Sequence, residues 1–140
     1  MKKLILIVCL LFSFVACSDE DNNGLVHVTI PVDEALVPES FDYLEENQIT
    51  ISYTLPNNCF SSSELFYQES GQQRYIAVTS IENLNQECSG SSRKLTLTFN
   101  IRATQTEDYI LKFWKGFDET TGEDLYAEYV VPVENVDQSL

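Results

Sequence analysis

RKLTLTFNIR, residues Arg93 to Arg102, decides the fold. Leu95, Leu97, Phe99 and Ile101 alternate strictly with Lys94, Thr96, Thr98 and Asn100, a period of two that puts the apolar side chains on one face of an extended strand. One face is core and the other meets water. Residues 48–55 repeat the pattern, with Ile49, Ile51, Tyr53 and Leu55 set against Thr50, Ser52 and Thr54. Working outward, shorter runs of the same kind predict strands over residues 25–32, 63–69, 74–81, 108–115 and 125–133. The links between them carry turn chemistry: Pro56-Asn57-Asn58, Ser70-Gly71-Gln72, the polar run 83–92 and the glycine-containing run 116–124. No segment sustains helical spacing, and only residues 39–47 admit a short turn of helix. Seven strands with turn-length links predict one all-β domain, an antiparallel sandwich over residues 25–140.

The N-terminus has a different composition. Lys2 and Lys3 precede an apolar run, Leu4 to Phe14, interrupted only by Ser13, and Phe14-Val15-Ala16-Cys17 closes it. A positive start, an apolar stretch shorter than the roughly 20 residues of a membrane span, and a small residue before a cysteine read as a lipoprotein signal peptide over residues 1–16. The Cys17 thiol is the nucleophile that takes a diacylglycerol thioether before cleavage, so the expected partner is a membrane, reached through lipid on Cys17. An ordinary secretory signal with an incidental cysteine is the alternative. Residues 17–24 are polar and acidic, with nothing to bury, and read as a flexible tether.

Removing residues 1–16 takes two lysines out of a chain with 8 basic and 22 acidic residues, so the formal charge moves from −14 to −16. That balance argues against nucleic acid, whose phosphates need Lys and Arg. It favours solubility and basic or cationic partners. Of the four cysteines, Cys9 leaves with the signal and Cys17 is consumed by lipid, which leaves Cys59 and Cys88. Two cysteines in an exported domain predict one disulfide.

Cys17-Ser18-Asp19-Glu20-Asp21, a lipidated cysteine followed at once by clustered acids, resembles the export signal of Bacteroidota lipoproteins destined for the outer face of the outer membrane. The resemblance implies display at the cell surface; a lipoprotein facing the periplasm is the alternative. The closing segment resembles the last hairpin of an immunoglobulin-like domain, which implies an immunoglobulin-like β-sandwich of about seven strands. Residues 107–114 look like its penultimate strand, with Tyr109 placed like the tyrosine of a tyrosine corner, and residues 125–133 look like the closing strand. Leu111 stands where antibody-type domains carry a cysteine, so Cys59 and Cys88 would staple other strands or loops. The Phe113-Trp114-Lys115-Gly116 hairpin is also similar to that of small surface lipoproteins of the Bacteroidota.

Catalytic chemistry finds little to work with. A hydrolase nucleophile usually needs a histidine base, and His27 is the only one, between Val26 and Val28 where a solvent-facing side chain is expected. Carboxylates are numerous, but no pair has the apolar flanks that raise a pKa. The loop from Gly116 to Asp124 gathers four acids that calcium would want, although Thr121-Gly122 is also what a hairpin turn requires. No cofactor is expected.

Strand parity offers more. With Tyr109, Leu111 and Phe113 facing the core, Ile110, Lys112 and Trp114 face out; on the partner strand Leu125, Ala127, Tyr129, Val131 and Val133 face in, and Tyr126, Glu128 and Val130 face out. Ile110, Trp114, Tyr126 and Val130 then form a candidate binding surface for a protein or a glycan, unless another segment covers it or the parity is reversed. The expectation is a non-catalytic, lipid-anchored binding or structural module. Alternatives are an inhibitor of secreted proteases, presenting residues 57–62 and 116–122, a carboxylate-dependent hydrolase, and an accessory lipoprotein of a larger envelope assembly.

Overall fold

A computed structural model describes residues 23–139, so the signal peptide, Cys17 and most of the tether lie outside the described residues. The chain is all-β and sandwich-like. Ten strands follow in order: β1 (Leu25–Ile30), β2 (Val32–Leu36), β3 (Phe41–Asp42), β4 (Glu46–Leu55), β5 (Phe60–Ser70), β6 (Gln73–Asn83), β7 (Arg93–Arg102), β8 (Tyr109–Asp118), β9 (Glu123–Val131) and β10 (Val133–Glu134). A 3-10 turn, Val136–Ser139, follows them. Among the described residues no helix is long and apolar enough to cross a membrane.

The two alternating segments that decide the fold pair with each other. β4 and β7 form an antiparallel ladder from Glu46↔Arg102 to Leu55↔Arg93, and β2 joins the other side of β4. Their inward residues, among them Ile49, Ile51, Tyr53, Leu55 and Ile101, meet Ile76 and Val78 of β6 and Leu111 and Phe113 of β8 across one core. Period-two alternation succeeds here because each sheet has a buried and a wet face. On the wet face, the hydroxyls of Thr50 and Thr98 hydrogen-bond at 2.9 Å across the ladder.

Two prolines divide what the sequence presents as single strands. Pro31 has no N–H to give a ladder, and the chain changes sheets there: β1 pairs with β6, while β2 pairs with β4. Pro132 likewise separates β9 from β10, which pairs with β3. Residues 39–47 are not helical. They hold β3 and a tight turn with Leu44 at φ 65°. Asn47 explains this conformation: its buried amide nitrogen donates to the carbonyls of Glu45, Asp42 and Ile101, and its oxygen accepts from the Asp42 N–H.

The second sheet is not purely antiparallel, and its exception shapes the surface. β5 covers one edge of β6 along nearly its whole length. The other edge is shared: β1 pairs antiparallel with Val78 to Asn83, and β8 pairs parallel with Gln73 to Ile76. Parallel pairing needs a crossover, and β7, lying in the opposite sheet, supplies it. β8 and β9 complete this sheet as an antiparallel hairpin. β3 and β10 are the other parallel pair.

Cys59 and Cys88 are joined, with their Cα atoms 5.3 Å apart. The bridge fastens the loop after β6 to the turn before β5. Tyr109 is buried as expected of a tyrosine corner, and its hydroxyl oxygen accepts the Thr104 N–H at 3.0 Å.

Candidate functional site

Ala77 is the floor of the site. It faces outward from β6, opposite Phe66 of β5, and on the other edge it pairs with neither β1, whose register ends at Val78, nor β8, whose register ends at Ile76. The two neighbours part at this position. A small side chain at the parting leaves a groove of about 520 Å³ on the outer face of the sheet, within the range of ordinary ligand sites. Phe66 forms one wall, Trp114 and Tyr126 the other, and Tyr75 stands beside the floor; Thr29, Gln68, Ser70 and Asp124 add polar groups to the lining.

The walls are fixed by their neighbours. Trp114 and Tyr126 are cross-strand partners on β8 and β9. The Trp114 Nε1–H donates to Asp124 Oδ1 at 2.8 Å, which holds the indole by its edge. Tyr75 donates its hydroxyl to Gln73 Oε1 at 2.6 Å and meets Tyr126 edge-on, with ring centroids 5.5 Å apart. Burial, then the Asp124 carboxylate, then Tyr75 push the Tyr126 phenol above its ordinary pKa, so it remains a neutral donor and acceptor. Tyr126 keeps 38 % of its surface exposed and Phe66 43 %. The side chains of Thr29, Gln68 and Ser70 make no hydrogen bond among the described residues.

Parity places all four candidate surface residues on this outer face. Trp114 and Tyr126 line the groove, whereas Ile110 and Val130 pair with each other nearer the start of β8, outside it. Between the two pairs lies Lys112–Glu128, an ion pair at 3.6 Å, so the apolar patch is interrupted. Leu125, expected inside, is exposed, because a bulge between Trp114 and Gly116 shifts the register before it is reached. Sequence reading missed Phe66, Tyr75 and Ala77. Their outward parity was readable within β5 and β6, but their neighbours were not.

The other candidates lie apart. His27 is exposed on β1. In the 116–124 loop, Asp118 Oδ1 accepts from the Thr120 and Thr121 N–H groups and the Thr120 hydroxyl. The Thr120 bonds hold its carboxyl below the usual range. Asp118 thus closes its own turn. Among the described residues, no three His, Cys, Asp or Glu side chains converge as metal ligands would. On the core side of β5, Tyr67 donates to Glu69 at 3.2 Å, and burial is the main cause pushing its phenol up to about 12.

Comparison with protein-family models, with curated proteins and with solved structures returns no match.

Proposed function

We propose that this protein is a non-catalytic binding module, held to the outer membrane by lipid on Cys17, displayed at the cell surface, and engaging its ligand through the outer face of the five-stranded sheet. The observation that carries the reading is the uncovered groove over Ala77 with its aromatic walls. Large aromatic side chains left open beside a small floor cost solubility unless something occupies the space, and Trp and Tyr are the residues that anchor interfaces.

The place where the tether joins supports the same face. Leu25 pairs with Asn83, so β1 starts at the end of the sheet where β6 finishes. β8 runs parallel to β6, which brings the β8–β9 turn to that end too. The disulfide brings the 56–59 turn there. Residues 17–23 reach at most about 25 Å. The loops that a protease inhibitor would present are therefore at the anchored end, while the groove opens sideways on the sheet.

Hydroxyl-radical footprinting tests this. On intact cells, Trp114, Tyr126 and Tyr75 are expected to oxidise several-fold more slowly than in the purified protein, while exposed Leu36 and Leu44, toward the end of the sandwich away from the tether, oxidise equally in both. Equal oxidation of the groove residues in the two states, or uniform protection of all five, would overturn the proposal.

A further inference from the structure

We infer that the groove over Ala77 is a subsite for an uncharged sugar chain; this rests on the outer sheet face being the binding surface. A sugar ring has two kinds of surface. Its C–H faces are apolar and weakly positive, and its rim carries hydroxyls that both donate and accept. The groove offers a match for each. The negative faces of Phe66, Trp114 and Tyr126 suit the C–H faces, while Tyr75, with the Lys112 ammonium 5.5 Å from its ring centre, buttresses Tyr126. Thr29, Gln68 and Ser70 place unspent hydroxyl and amide groups around them, and the second oxygen of Asp124 adds an acceptor. The Phe66 and Trp114 walls stand on strands flanking β6. Two inter-strand spacings put their backbones at least about 10 Å apart, wide enough for a ring to enter between them.

Charge removes the main competitors. Asp124 is the only ionised side chain in the lining, the neighbouring Lys112 ammonium over Tyr75 is paired with Glu128 at 3.6 Å, and the chain carries −14 overall, so polyanions such as uronate or sulfated sugars, nucleic acid and phosphate headgroups are repelled. A basic peptide would meet one carboxylate, already accepting from Trp114. An apolar peptide would bury Thr29, Gln68 and Ser70 without partners, which costs on each. A neutral glycan satisfies both the rings and the polar rim. The walls are also pre-set by the Trp114–Asp124 and Tyr75–Gln73 hydrogen bonds, so little ordering remains to oppose binding.

The test is native affinity electrophoresis of the detergent-solubilised full-length protein through gels containing a neutral β-glucan, a mannan, a galactan or starch, with a polyuronate as control. At least one neutral polymer is expected to retard the protein. Trp114→Ala and Ala77→Phe, the second of which fills the floor and leaves every ring in place, should weaken that retardation at least tenfold. Phe117→Ala, exposed and outside the groove, should leave it unchanged. Gln68→Ala, a surface change that spares the core, guards against misfolding of the bulkier variant and should weaken retardation several-fold. Retardation by the polyuronate alone, or equal retardation of wild type and the groove variants, overturns the sugar assignment. No retardation by any neutral polymer, with groove residues still protected on cells, overturns the sugar and leaves the binding face standing. Loss of both signals overturns both.

Discussion

Cys88→Ala is expected to lower the unfolding free energy by about 3.6 kcal/mol, the chain-entropy value for releasing a closed loop of roughly this length. The sequence separation is 29, so the bridge removes many conformations from the unfolded chain. Cys88 is the better end to cut. It is exposed, whereas Cys59 is 1 % exposed and, left as a thiol, packs as a small apolar side chain. Urea unfolding of wild type, reduced wild type and the variant measures the effect. Reduced wild type should match the variant, and the variant should not respond to reductant. A change below about 1 kcal/mol would mean that the hydrogen bonds between Asn58 and Ser89, and from the Gln86 amide to Asn58, already order the loop without the bridge.

Arg74→Ala is expected to cost about 3 kcal/mol, comparable to the bridge. Arg74 is 5 % exposed on the core side of β6, an unusual place for a charge. Its guanidinium donates to the carbonyls of Gly71 and Gln73 at 2.7 and 3.0 Å and to Gln105 Oε1 at 3.0 Å. It also lies 4.8 Å from the centre of the Tyr109 ring, whose hydroxyl accepts from Thr104. One side chain therefore ties the β5–β6 turn to the loop before β8 at the end of the sandwich away from the tether. The Glu69 carboxylate at 3.4 Å is mostly in water and adds little. Glu69→Gln should cost under about 0.5 kcal/mol. Arg74→Lys should recover less than half of the loss, because an ammonium cannot reproduce the fork that spans three acceptors. Denaturant unfolding of the three variants separates these contributions. A Glu69→Gln cost equal to that of Arg74→Ala would assign the effect to the ion pair instead.

The strands were legible wherever one face is dry and the other wet. Residues 93–102 and 48–55 alternate without error, and they form the central ladder. Tyr109 announced its corner, and the parity it sets put Trp114 and Tyr126 on the outer face. What local alternation does not encode is adjacency. Nothing in β5 or β6 states that Phe66 and Tyr75 share a groove with Trp114, because that depends on β1 and β8 dividing one edge of β6 at Ala77. The prolines at 31 and 132 were visible but read as parts of strands, although each lacks the donor that continuous pairing needs. Arg74 had a signal too. It occupies the same parity as Ile76, Val78 and Ser80, all buried, so the alternation itself placed a charge in the core.

Trp114 is the only tryptophan in the chain, and it forms a wall of the groove, so its emission reports occupancy without a label. The full-length protein titrated with soluble neutral oligosaccharides should show a saturable blue shift, as a sugar ring replaces water against the indole, and Ala77→Phe should show none. Emission that stays fixed through the whole titration series, or that shifts equally in Ala77→Phe, would contradict a sugar bound over Ala77.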